Sequence, residues 1–407
     1  MRVQATIVCS YTYGNGITLS VSEEGDVYSL GTHHLHAHGH QEKLISIPTK
    51  IPCLKNIQSG HCGSRHTICL DSDGNVFTFG CNEQSQLGIG KDGSVLSLTQ
   101  QPQKVNLPRI KQISCGDSFN ICLTDDNIPY SFGSNYNGQL GIGDIGKTMC
   151  HPQKISCLEN IDFIECGGNH VMCRAFDNSL YGWGRNCLGE VGLSNKVDQI
   201  VFLPVKIPNF PDDIVDIKCE YHTLVLTSSQ DVYSCGENAH KQLGRKTKKR
   251  YSCTLKKIPD LCNISRIECG YFHSTCIDTN LNLWVFGQNY CGQLGLIQAT
   301  DIEIPTKHPT LSNIIDISTS GNNTFVKISN NEIYAFGDNE YSQLGIKTEN
   351  DSQRTPIRVF EGNEDIWYSK RIKSKAKSAR FILPRPSEEN NSPPKKKQKH
   401  NIHEKLK

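Results

Sequence analysis

Short runs in which β-forming residues alternate between two faces recur along the chain and end in an aromatic residue. Examples are Val76-Phe77-Thr78-Phe79, Tyr130-Ser131-Phe132, Leu180-Tyr181-Gly182-Trp183, Leu283-Trp284-Val285-Phe286 and Ile333-Tyr334-Ala335-Phe336. Period-two alternation predicts strands buried on one face. A glycine closes each run and a second follows eight residues later, as Gly31/Gly39, Gly80/Gly88, Gly133/Gly141, Gly184/Gly192, Gly236/Gly244, Gly287/Gly295 and Gly337/Gly345. The first members lie 49, 53, 51, 52, 51 and 50 residues apart, so one unit is written seven times.

Between the paired glycines, an asparagine recurs in six units (Asn82, Asn135, Asn186, Asn238, Asn289, Asn339), and five loops close with Gln-Leu-Gly. The leucine is expected to plug the loop onto the core, and the glutamine amide to satisfy loop backbone that a repeat interface buries. Downstream, a proline is expected to open a further short strand at Pro48, Pro102, Pro152, Pro204, Pro305 and Pro356. Two more strands follow, as in Ile113-Ser114-Cys115-Gly116 leading to Ile121-Cys122-Leu123. Four short strands in about 50 residues make a four-stranded blade. No unit carries a helical stripe of useful length, which excludes a helical solenoid, and a leucine-rich horseshoe repeats at about half this period.

These motifs resemble the repeats of the regulator of chromosome condensation family, whose unit is a strand followed by Gly-x-Asn-x-x-Gly-Gln-Leu-Gly with an upstream Cys-Gly and His-Thr. The resemblance runs over about residues 1 to 360. It implies an all-β fold, a seven-bladed β-propeller of four-stranded antiparallel blades. Because the first unit starts at its inner strands and the last ends after Pro356, the ring is expected to be closed by strands from both chain ends, one blade combining the two. Unit one departs most: residues 31–39 keep both glycines but lose the asparagine, glutamine and leucine, and Gly60 to Gly63 reads as a small insertion.

Charge divides the 407 residues in two. Residues 370–407 hold 13 Lys/Arg against 3 acids, a net of +10, which leaves residues 1–369 with 30 against 38, a net of −8. Too few apolar residues occur in the basic segment to fold, so a propeller over 1–369 and a disordered basic tail over 370–407 are expected. Within the tail, Pro393, Pro394, Lys395, Lys396, Lys397 and Lys399 resemble a single-cluster nuclear import signal, with a solvated or phosphate-binding charge run as the plainer alternative. No apolar run of 18 residues and no secretion signal is evident, which points away from a membrane partner and toward an intracellular chain, nuclear or shared between nucleus and cytoplasm. The 19 cysteines recur in strand register (Cys115/Cys122, Cys166/Cys173, Cys269/Cys276) and contain no Cys-x-x-Cys pair, so they read as reduced core residues.

Candidate chemistry is sparse. His66, His170, His222 and His273 each stand fourteen residues before a first glycine, and recurrence at one ring position argues against catalysis. They are expected to bond backbone near the inner end of each blade, close to the face where family members bind partners. His33, His34, His36, His38 and His40 lie in the degraded loop with no cysteine or carboxylate set beside them, so no metal site is assigned. No cofactor or hydrolase motif appears. Cys115-Gly116-Asp117-Ser118 is similar to the family segment where an aspartate acts in guanine nucleotide exchange on the small GTPase Ran, making Asp117 the exchange candidate; capping a turn is its structural alternative. Asn169 stands where the resemblance implies a second aspartate, and the plain loop after Gly133 lacks the family's longer wedge. The reading is a monomeric, noncatalytic propeller that binds protein or chromatin, with exchange on a Ran-like GTPase as the alternative and an import carrier as the partner of the tail.

Overall fold

The computed structural model describes residues 6–359 apart from 13–14, 33–36, 91–96, 145, 194–198, 209, 211–212 and 347–349, and the side chains of 6–15 are likewise outside the description. Among the described residues, 28 strands form seven antiparallel sheets of four. Blades 1 to 7 occupy residues 6–50, 57–104, 110–154, 161–206, 214–257, 264–312 and 314–358. The fold is the seven-bladed β-propeller the repeats imply.

Every blade is built from four consecutive strands, so no blade combines the two chain ends. The chain enters on the innermost strand of blade 1 (Thr6–Thr12) and the last described strand is the outermost of blade 7 (Ser352–Arg358), so none is left over to exchange. Closure is made by side chains instead. Leu30 and Ile45 of blade 1 pack with Phe325, Ile333, Ala335 and Leu344 of blade 7, and Thr18 Oγ1 donates to Gln343 O at 2.6 Å. At about 2 kcal/mol for each large apolar side chain removed from water, that seam contributes on the order of 10 kcal/mol.

The core is divided the same way throughout: seven apolar clusters each bridge two neighbouring blades. Phe79, Phe132, Trp183, Phe286 and Phe336, the aromatic ends of the alternating runs, are fully buried there. The second glycine of one blade rests on the aromatic of the next, since a Cβ on Gly141 would stand 2.7 Å from the Trp183 ring. Leu87, Leu140, Leu243, Leu294 and Leu344, the loop leucines, are also fully buried.

The prolines do not open the outermost strands; they lie inside them. In every blade two residues of the third strand face four of the outermost, as where Ser131↔Gln153 is followed by Gly133↔Met149. Pro152 falls within that extra length, and the five other prolines fall at the same place in their blades. A bulge on a free edge needs no ladder donor there, which is why proline is tolerated. Gly60 and Gly63 are not an insertion either, because Ile57–Cys62 pairs in the same register as the other innermost strands.

Candidate functional site

Antiparallel order places the turns between first and second strands and the Gln-Leu-Gly loops on one face of the ring. Inter-blade backbone bonds tie the turns together there. Ser64 N donates to Asp117 O at 3.0 Å, Asp117 N to Gly168 O at 2.9 Å, Gly168 N to Glu220 O at 3.2 Å and Tyr271 N to Gly321 O at 2.9 Å. The loops are fixed by their own side chains: Asn135 Oδ1 accepts from Leu140 N at 3.0 Å and Gln139 Oε1 from Asn137 N at 2.8 Å. Glu190, which replaces the glutamine in blade 4, keeps that role by accepting from Leu188 N at 2.8 Å.

Asp117 and Asn169 meet on this face. Ser64 Oγ donates to Asp117 Oδ1 at 2.7 Å, and Asn169 Nδ2 donates to Asp117 Oδ2 at 2.9 Å. The carboxylate therefore spans blades 2, 3 and 4 rather than capping its own turn. Burial raises its pKa, while the bonds from Ser64 and Asn169 and the charge of Arg185 work against that rise. Asn169 is held in turn, its Oδ1 accepting from Asn137 Nδ2 and Gln139 Nε2, each at 3.3 Å.

The recurring histidines are buried and turn to the next blade, not to solvent and not to backbone. His66 Nε2 bonds Asn120 Oδ1 at 3.0 Å, His170 bonds Thr223 Oγ1 at 2.9 Å, His222 bonds Ser274 Oγ at 2.7 Å and His273 bonds Thr324 Oγ1 at 2.9 Å. Each partner donates onward to a loop carbonyl, as Ser274 Oγ does to Gln242 O at 2.8 Å, so the imidazole must be the donor and carry its proton on Nε2. Burial pushes His66 down to about 4 and His170, His222 and His273 down to about 3. The glycine after the innermost strand is explained here too, since a Cβ on Gly63 would stand 2.3 Å from His66 Cε1. In the degraded loop of blade 1, His38 Nδ1 accepts from His40 N at 3.2 Å, and His33, His34 and His36 lie outside the described residues.

Innermost strands surround a central cavity of about 320 Å³. Lys218 Nζ pairs with Glu268 Oε1 at 3.0 Å, Arg266 pairs with Asp316, and burial raises Glu165 to about 8. Eighteen described cysteines are free thiols, and Cys122, Cys166, Cys173, Cys269 and Cys276 are buried, while Cys115 is partly so.

The chain is similar to known propellers. The RCC1-like domain model matches residues 2–248, and the regulator of chromosome condensation (RCC1) repeat model matches 230–277, 282–326 and 330–372. The chain belongs to the RCC1 repeat family. It is 30% identical over 323 residues to the ultraviolet-B receptor UVR8 of Arabidopsis thaliana, covering 76% of this chain and 71% of that protein. It is 26% identical over 386 residues to the regulator of chromosome condensation of Xenopus laevis, covering 88% and 87%. Among solved structures, yeast RCC1 (Prp20) bound to Kap60 superposes with a TM-score of 0.74 at 20% identity, over 83% and 84%. Prp20p of Saccharomyces cerevisiae, described with its binding to Gsp1p and histones, gives 0.66 at 23%, over 76% and 79%.

Family motifs lead to Asp117, Asn169 and the histidines, but not to the residues around them. Ser64, Glu220, Tyr221, Tyr271 and Phe272 share the same face, and nothing about each residue type alone marks it. One signal was available. Cys219 and His222 are three apart where the other Cys–His pairs are four apart, so the blade 5 turn is short by one residue. Pro393, Pro394, Lys395, Lys396, Lys397 and Lys399 lie outside the described residues.

Proposed function

We propose that this RCC1-family chain is a noncatalytic, regulatory propeller that binds a protein partner through its loop face, acts in the nucleus, and uses its basic tail for import. The supporting observation is Asp117: a carboxylate on the partly exposed face, oriented by side chains from both neighbouring blades before any partner arrives. Such preorganisation favours recognition, because little ordering remains to be done on binding. For the tail, the Lys395–Lys399 cluster has the composition of a carrier-borne import signal, and the relative Prp20 has been crystallised with Kap60. Replacing Lys395, Lys396 and Lys397 with alanine is expected to leave the circular dichroism spectrum unchanged and abolish nuclear accumulation of a tagged chain. Equal distribution of variant and parent rejects the import role.

A second reading, guanine nucleotide exchange on a Ran-like GTPase, is favoured by the same Asp117 and by the Prp20p relative described as binding Gsp1p. Against it, Asn169 contributes an amide bonded to Asp117, so one carboxylate stands where exchange in the resemblance uses two. Fluorescent nucleotide release from a purified Ran-like GTPase separates the readings. The interaction reading expects no acceleration, together with capture of a defined partner that an Asp117→Arg variant loses. Acceleration reduced at least about tenfold in Asp117→Ala, the loss of one charge-assisted contact, would establish exchange instead.

A further inference from the structure

Repeat register breaks at one sector of the loop face. The shortened turn of blade 5 presents Tyr221 where other turns carry two residues, and blade 6 carries Tyr271-Phe272. Tyr221 and Phe272 stack with centroids 5.3 Å apart and planes at 12°. Tyr271 meets them edge-on at 5.4 and 6.3 Å, and His240 packs on Phe272 at 5.1 Å. All four side chains are partly exposed.

The cluster leaves polar atoms unsatisfied beneath it. Between blades 3 and 4 Gln139 Nε2 donates to Asn169 Oδ1 at 3.3 Å, and between blades 6 and 7 Gln293 Nε2 donates to Asn322 Oδ1 at 3.2 Å. Between blades 5 and 6 the position of those asparagines is held by Phe272, which offers no acceptor, and Gln242 Nε2 is buried without a hydrogen bond. One blade earlier Tyr221 holds the position, and buried Glu190 Oε1 receives no hydrogen bond, its nearest cation being Arg185 Nε at 3.6 Å. An asparagine would serve folding better at residue 272. The acceptor is missing at the seam as well, where Gly16 holds the position and Gln343 Nε2 is buried without a hydrogen bond. Only in blades 5 and 6 do aromatic side chains stand in its place, twice in succession and in contact with each other, which marks them as selected for something other than stability.

The rim is acidic. Asp117 and Glu237 act electrostatically on the Tyr221 phenol, opposed by Arg185, while burial holds the Glu220 carboxyl well above the usual carboxylate range. Negative ring faces inside a fringe of carboxylates attract a cation, repel an anion and give an apolar side chain no use of the charge.

We propose that Tyr221, Tyr271 and Phe272 form a docking site for a lysine or arginine side chain presented by a protein partner, with Asp117 and Glu237 supplying the charge. This assignment rests on the loop face being a protein-binding surface, and it names the chemistry by which that surface recognises its partner.

The test uses the full chain and fluorescein-labelled (Gly-Lys-Ser)3 with its norleucine counterpart, titrated by anisotropy at low salt. The lysine peptide is expected to bind at least tenfold tighter than the norleucine peptide, and Phe272→Leu to weaken the lysine peptide about fivefold while leaving the norleucine peptide unchanged, as loss of a cation–π contact requires. Phe272→Asn, which returns an acceptor to Gln242, is expected to raise Tm by about 2 °C while losing the lysine peptide, a separation that a purely structural aromatic cluster does not produce. Equal binding of both peptides, no binding of either, or lysine affinity within twofold of the parent in both Phe272 variants overturns the proposal. If the peptide fails while partner capture still depends on Asp117, the docking site falls and the protein-binding reading stands; if the peptide behaves as expected but no partner is captured, the reverse holds.

Discussion

At the residue scale, the four recurring histidines show how a motif that invites a chemical reading becomes structural. Each neutral imidazole donates from Nε2 across a blade boundary, and Nδ1 of His66, His222 and His273 is buried with no partner. Burial removes water from the charged imidazolium, which is the physical cause of the depressed pKa values, and at His66, His222 and His273 protonation would also add an unpaired N–H. The consequence has a sign. The unfolded chain binds a proton near 6.5 while folded His66 does so near 4, so stability is full above about pH 6.5 and is lost as pH falls toward 4, by ~3 kcal/mol for this residue. His222→Gln retains a side-chain N–H donor but cannot titrate. It is expected to lower the urea midpoint at pH 7.5 by the equivalent of about 1–2 kcal/mol and to flatten the fall between pH 6.5 and 4 by about one proton. An acid slope identical to the parent would exclude a buried neutral His222. The recurrence of these residues was legible in sequence, but their partners were not: each is a polar side chain on the second strand of the neighbouring blade, about 50 residues away along the chain and adjacent only when blades are stacked.

At the element scale, the third strand and the outermost strand form one device. The first glycine of each unit sits beside the bulge, with positive φ and with the preceding turn's backbone against its α-carbon. Gly133 has φ +107°, and a Cβ there would stand 2.5 Å from Ser118 O. Gly146 offers a control, with φ +82° but nothing within 4 Å of its would-be Cβ. Gly133→Ala is therefore expected to cost about 3 kcal/mol in denaturant unfolding and Gly146→Ala about 1 kcal/mol, the difference being the clash. Comparable losses for the two would mean that backbone conformation alone fixes the glycine. Strand existence, order and buried face could all be read from alternation and turn residues. The placement of proline could not, because whether it opens a strand or sits in a bulge depends on the partner strand's register, and period two is blind to two extra residues on one side.

At the scale of the whole molecule, closure by packing makes the seam between the first and last blades equivalent to the other six boundaries. Thr18 Oγ1 donates to Gln343 O at 2.6 Å across the seam, as Thr324 Oγ1 does to Gln293 O at 2.8 Å within the chain. Thr18→Val is expected to cost about 1 kcal/mol in urea unfolding and Thr324→Val about 2 kcal/mol, because Thr324 Oγ1 also accepts from His273 Nε2 and its loss strands that buried donor. A seam variant that is several-fold more damaging would show that the ring is weakest where its ends meet. By itself the sequence determined the seven units, the four strands of each, the family and the charge contrast between ring and tail, because these are written in local periodicity and composition. Only the tertiary structure decided that the ring closes without sharing a sheet, that Asp117 is held by Ser64 and Asn169, and that Tyr221, Tyr271 and Phe272 gather above unsatisfied Gln242 and Glu190. Each of those facts is a contact between blades, and a contact between residues some fifty positions apart exists only once the blades are placed side by side.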